Sequence, residues 1–128
     1  MMDRQTAAAT IARIVGGTSG WIALGDFLDD WRRSTPGQRT GMIGNAPSWP
    51  DGEAQRWAAL VAAAVDALAS ATEPRVPLPD WVRSRRTILP EPWFLTPGSA
   101  IRMHLLVDTP APFSARNIFG GDRILSRV

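Results

Sequence analysis

The chain contains no cysteine, no lysine and no tyrosine, and a single histidine, His104. Without cysteine there is no disulfide staple, no thiolate metal site and no thiol nucleophile. Packing alone has to hold the fold. At 128 residues the chain is one domain by the usual length relation, and such a chain buries roughly two-thirds of its unfolded surface. One histidine excludes a two-histidine metal centre. A Ser-His-Asp arrangement would have to use His104, and neither Ser99 nor Asp108 stands at a spacing that favours it. No apolar run approaches the ~20 residues that cross a bilayer. The opening Met1-Met2-Asp3-Arg4 leads into Ala and Thr without the pattern of a signal peptide. The expectation is a cytoplasmic protein without membrane, metal or cofactor, and without catalytic residues, that works by binding a macromolecule.

The cations are all arginine. Because arginine titrates above about pH 12, a small excess lifts the calculated isoelectric point to 10.9 while the net charge is only +2. With abundant Ala, Gly and Pro, the missing lysine matches a GC-rich coding bias better than a demand for nucleic acid. The distribution carries more information than the total. Residues 1–73 hold six arginines against eight acids, a net of −2, and residues 74–128 hold eight against four, a net of +4. A mildly acidic first part is joined to a mildly basic second part.

Helical spacing dominates residues 1–73. Asp3 can cap a helix to about Val15 with Ala7, Ile11, Ile14 and Val15 on one face, and Gly16-Gly17 ends it. After Ser19-Gly20, Trp21, Leu24, Phe27, Leu28 and Trp31 form a broad apolar face. Asp26, Asp29, Asp30 and Arg33 lie opposite, with Asp29 and Arg33 at the favourable four-residue spacing. Ser34-Thr35-Pro36 reads as a cap and first helical position for a weak third helix interrupted by Gly37, Gly41 and Gly44. After a turn over Asn45–Pro50, Asp51 can cap the clearest helix, about 52–71, an Ala-rich segment with Trp57, Leu60, Val61, Ala64, Val65 and Leu68 on a narrow stripe. That composition suits close packing against neighbouring helices.

From Glu73 onward eight prolines punctuate the chain and leave room only for short elements. Asp80 can cap a turn carrying Trp81 and Val82. Thr96-Pro97 can start a helix at about 98–107 with Ile101, Leu105 and Leu106 on one side. A short extended piece fits Asn117–Phe119, and a last turn fits about 122–127. Trp81, Trp93, Phe94, Phe113, Ile118 and Phe119 are too apolar for a solvated linker. The predicted architecture is therefore mainly α: four to six helices in a single domain, a helical base at 1–73, and a proline-rich, largely irregular segment at 74–128 packed on it, with at most one short strand.

Chemistry-bearing patterns are few. Asp26, Asp29 and Asp30 share part of a helix surface and three acids can hold a divalent cation, but Arg32 and Arg33 beside them make a solvated charged face the better account. Gly16-Gly17-Thr18-Ser19-Gly20 lacks the lysine and the preceding strand of a phosphate-cradling loop. A helix-turn-helix could be sought at 21–45 with Arg32, Arg33, Arg39 and Thr40 toward DNA, although glycines break its second helix. Arg83, Arg85 and Arg86 stand in a row between Trp81 and Trp93. Arginine interleaved with aromatics serves nucleic-acid strands, protein interfaces or simply a solvated turn.

Three blocks carry a resemblance: Leu78-Pro79-Asp80-Trp81-Val82; Ile88-Leu89-Pro90-Glu91-Pro92-Trp93-Phe94; and Thr109-Pro110-Ala111-Pro112-Phe113 with Arg116-Asn117-Ile118-Phe119. Over about residues 55–125 they resemble a family of small bacterial proteins, common in actinobacteria, thought to be antitoxins paired with nucleotidyltransferase-fold toxins. In some relatives the block follows an N-terminal helix-turn-helix, which this chain does not convincingly have. The resemblance implies toxin neutralisation by protein–protein contact, with the toxin encoded by the adjacent gene. Trp81, Arg83, Arg85, Arg86, Trp93, Phe94 and Arg116 would be its partner-binding residues, the arginines pairing with acids of the toxin's metal site. The alternative is a DNA-binding regulator of its own operon through Arg32, Arg33 and Arg39. A small hydrolase built on His104 is the third reading.

Overall fold

The computed structural model describes residues 4–95, 108–121 and 124–127. The protein is mainly α-helical. Helices α1 (Ala7–Val15), α2 (Gly20–Arg32), α3 (Pro36–Ile43) and α4 (Glu53–Ala71) build the base. Beyond it come two 3-10 turns (Asp80–Arg83 and Arg85–Thr87), strand β1 (Trp93–Phe94), a single-turn helix α5 (Ala111–Ser114), strand β2 (Ile118–Phe119) and a last 3-10 turn (Ile124–Arg127). The expected helix at 98–107, with Ile101, Leu105 and Leu106, lies outside the described residues, as do Asp3, Ser99 and His104.

The apolar core is organised around α4. Eight consecutive residues, Ala58 to Val65, have no exposed surface, so the middle of this helix is covered on every side and not along one stripe. Alanine makes that possible: it is the strongest helix former, and its single Cβ lets neighbours approach closely. Helix α1, the two 3-10 turns and α5 all pack on α4. From α2 come Leu24, Phe27, Leu28 and Trp31, and from the second half Val76, Val82, Leu89, Phe113, Ile118 and Ile124, all in one hydrophobic cluster.

Local chemistry explains where the helices begin, and it corrects two expectations. Thr6 caps α1, its side chain accepting from the Ala9 N–H at 3.0 Å. The N-cap of α4 is Gly52 at φ 68°, a left-handed turn in which glycine meets no Cβ clash, and not Asp51. Helix α3 survives its glycines because Thr35 and Gln38 cap each other reciprocally, the Gln38 N–H donating to Thr35 Oγ1 at 3.2 Å and the Thr35 N–H to Gln38 Oε1 at 2.8 Å. The charged pairs on α2 run three residues apart, Asp29 with Arg32 and Asp30 with Arg33, and not from Asp29 to Arg33.

The expected extended piece near 117–119 is β2, and it has a partner. It lies parallel to β1 with Trp93 opposite Ile118 and Phe94 opposite Phe119. The Trp93 N–H donates to the Asn117 carbonyl at 2.8 Å and that of Leu95 to Phe119 at 2.9 Å. Asn117 turns the chain out of α5 at φ 64°, a conformation asparagine tolerates better than most residues. Its side-chain amide donates to the Leu89 carbonyl at 2.6 Å.

Hydrogen bonds from Gln5, just ahead of α1, reach α2 beside the Arg13–Asp26 pair that joins the two helices. Gln5 donates its backbone N–H to the Asp30 carboxylate and its side-chain amide to the Ala23 carbonyl, both at 2.8 Å. The backbone N–H of Gln5 is the main reason the Asp30 carboxyl lies below the ordinary carboxylate range, with the Arg33 hydrogen bond and the charges of Arg33 and Arg4 adding to it against the cost of burial. A depressed folded-state pKa stabilises the fold above the unfolded-state value, and that stabilisation is lost as pH falls through the folded value. Asp30→Asn is expected to flatten the acid limb of the stability curve below about pH 4, measured by urea unfolding across pH. The start of α2 sets a steric limit: a Cβ on Gly20 would stand 2.2 Å from the Trp57 ring. Gly20→Ala is expected to cost about 1–3 kcal/mol, and clearly less in a Trp57→Leu background, read from thermal unfolding of the four variants.

Candidate partner-binding site

The segment 78–89 forms a ridge along α4. Pro79 enters it extended, at φ −72° and ψ 158°, and Ser84 separates the two 3-10 turns at φ −63° and ψ 143°. The Ser84 hydroxyl accepts from the Arg86 N–H at 3.2 Å and starts the second turn. This geometry turns Val82, Thr87 and Leu89 into the core and leaves Arg83, Arg85, Arg86 and Ile88 exposed. Trp81, half-buried, moors the ridge by donating its indole N–H to the Ile43 carbonyl at the end of α3, at 2.8 Å.

Beneath the ridge lies Arg116, 7% exposed. Its Nη1 donates to the Asp66 carboxylate at 3.1 Å and the Pro112 carbonyl at 2.6 Å, its Nη2 to the Val82 carbonyl at 2.9 Å, and its Nε to Thr87 Oγ1 at 3.3 Å. One guanidinium thus joins α4, both 3-10 turns and the entry to α5. Arg116 was expected to face a partner. The structure places it in the interior, with its donors spent on the fold, and it is not carried forward as a contact residue.

The three ridge arginines are in the opposite condition. No side-chain hydrogen bond or ion pair engages Arg83, Arg85 or Arg86 among the described residues. Two clefts flank them. One, of about 250 Å³, is lined by Ala46, Pro47, Trp49, Trp81, Ser84 and Arg86. The other, of about 210 Å³, holds Arg83 and Ile88 at its rim, with Thr87, Asp66 and Arg116 beneath. Ile88 is 46% exposed, so an apolar side chain stands among the unpaired cations. The acid in this cleft, Asp66, is already neutralised by Arg116.

Trp93 and Phe94 line neither cleft. The Trp93 ring meets Trp57 edge-on at 5.2 Å, Trp57 meets Trp21 in the same way at 5.1 Å, and the Arg56 guanidinium covers Trp93 at 5.8 Å. Phe94 stacks on Phe119 at 5.3 Å. Both residues brace the strand pair and remain half-buried. The structure does not bring them together with the arginine row.

The residues proposed for DNA are likewise occupied. Arg32 and Arg33 pair with Asp29 and Asp30. Arg39 donates to the Trp31 carbonyl at 2.8 Å and lies over the Trp31 ring at 5.1 Å. Asp26 pairs with Arg13 at 2.9 Å, and no group of three potential metal ligands exists among the described residues. No helix among them is long and apolar enough to cross a membrane.

Sequence reasoning missed Ile88, Trp49 and Asp66. A tryptophan between Pro47 and Pro50 was a usable signal, since a large apolar ring in a turn needs a seat. Asp66 gave none, because its partner is fifty residues away.

The contrast between buried and exposed arginine is testable. Arg116→Leu strands the Asp66 charge and two carbonyls, and is expected to cost about 3 kcal/mol. Replacing Arg83, Arg85 and Arg86 together by alanine is expected to change stability by less than about 0.5 kcal/mol per site, both read from urea midpoints. A comparison of the chain with family models, curated proteins and solved structures finds no match.

Proposed function

We propose that this protein is an antitoxin-like binding protein that neutralises a nucleotidyltransferase-type toxin by direct contact, with the ridge as the contact surface. The observation that carries the reading is the row of unpaired arginines, Arg83, Arg85 and Arg86, beside exposed Ile88 and the Trp81 cleft. Arginine carries a rigid donor fork that matches carboxylates two bonds at a time. A nucleotidyltransferase centre needs carboxylates to hold metal and nucleotide, so a guanidinium seated among them competes with both. The packing of Val82, Thr87 and Leu89 against α4 holds the ridge in place before binding, which lowers the ordering cost of association. The protein performs no chemistry of its own in this mechanism.

The test is co-expression with the product of the adjacent gene. A toxic nucleotidyltransferase-like neighbour should be silenced by this chain and should co-purify with it. Arg83→Glu/Arg85→Glu/Arg86→Glu should abolish rescue while the variant stays folded. Failure of the wild-type chain to rescue growth or to co-purify overturns the reading. Should the protein instead shift promoter DNA in a gel, with affinity falling by about one logarithmic unit per salt decade for each phosphate contacted, the regulator reading would replace it.

A further inference from the structure

A longer depression runs beside the ridge. Its floor is the outward face of α1, where Ala9, Ala12 and Val15 are exposed, and its wall is the 46–50 segment with Pro47 and Trp49. It measures about 550 Å³. Ala46, Pro47 and Trp49 also line the 250 Å³ cleft, so the two spaces share a wall and lead from α1 to Trp81 and Arg86. No acidic residue lines either one. The side chains lining this run are apolar apart from Ser48 and Ser84, until it reaches the unpaired Arg86 at one end.

Two features suit this run to a helix from another protein. Ala8, Ala9 and Ala12 offer only a Cβ each, so a second helix axis can approach to about 8 Å. The face from Ala8 to Val15 spans about 10 Å, two helical turns. A nucleic acid gains nothing there, because its affinity comes from cations at phosphate spacing and this stretch of α1 has none in the groove. The Trp49 indole nitrogen adds a separate observation. It is closed off from solvent without an acceptor, the only such side-chain nitrogen or oxygen among the described residues. A buried donor left unpaired is unfavourable, and it lies in the wall that this groove shares with the Trp81 cleft.

We propose that this groove seats one short amphipathic helix of the protein partner, apolar on the face that meets α1 and Trp49 and acidic at the end that reaches Arg86. The proposal rests on the reading that the chain binds a protein, and it names the kind of segment the partner presents. Helix-in-groove recognition of this kind uses apolar anchors three, four and seven residues apart.

The probe is a fluorescein-labelled helical peptide of about sixteen residues, with leucines at that spacing and glutamates at one end, compared with a version bearing lysines there. Anisotropy with the full chain should show the acidic peptide bound and the lysine version much weaker. Ala12→Glu, at an exposed position, fills the groove with a carboxylate. It should weaken the acidic peptide about tenfold or more, as should Arg86→Glu, with circular dichroism and melting temperature unchanged. Absence of binding, or binding indifferent to Ala12→Glu, overturns the proposal, and so does a concentration-dependent dimer that Ala12→Glu dissociates. Capture of the toxin separates the two readings. If ridge reversal abolishes capture and Ala12→Glu does not, the groove proposal fails and the antitoxin reading stands. If the wild-type chain captures no toxin yet binds the acidic peptide through Ala12 and Arg86, the antitoxin reading fails and the groove stands.

Discussion

The buried guanidinium of Arg116 is the contact on which the second half of the molecule depends. Proline breaks residues 74–95 into pieces too short to hold themselves, since a single 3-10 turn or a two-residue strand has little cooperativity of its own. Arg116 supplies a fixed fork that satisfies the Val82 and Pro112 carbonyls and the Asp66 carboxylate together. Burying an arginine is costly unless its charge is paired and its donors are used. Here both conditions hold. The same contact that closes the core thereby fixes the height and angle of the ridge above it.

That arrangement divides labour between residues of one type. Arg13, Arg32, Arg33, Arg39, Arg56 and Arg116 pair with acids, carbonyls or rings within the chain. Arg83, Arg85 and Arg86 do not. A formal charge of +2 says little about binding, because five of the arginines are paired with acids where they stand. The three ridge arginines form the cluster that sits on a braced element, with a cleft on either side. A partner meeting this surface would gain from apolar contact and from charge pairing without having to order the ridge first.

Much of the helical base was legible in the chain itself. The spacing of Leu24, Phe27, Leu28 and Trp31, the Thr35-Pro36 start of α3 and the Ala-rich run of α4 are local signals, and the structure has helices at each. Cap identities were less legible. Thr6, not Asp3, is the observed cap of α1, and Gly52, not Asp51, begins α4, because the cap is decided by which backbone conformation lets the chain arrive from the preceding loop. The site was partly legible. The arginine row was visible as composition, but Arg116 and Arg83 look alike in a sequence. Nothing within a few residues of either tells that one has Asp66 beneath it and the other has solvent.

By itself, then, the sequence determined the helical class, the absence of thiol and two-histidine chemistry, and the shift at Glu73 from long helices to short proline-bounded elements. These follow from residue type and nearest-neighbour spacing. Only the tertiary structure decided which cations are free, that Trp93 and Phe94 brace a parallel strand pair, and that the outer face of α1 meets Trp49 to form a groove. Each of those depends on residues brought together from distant parts of the chain, and contacts of that kind leave no periodicity to read.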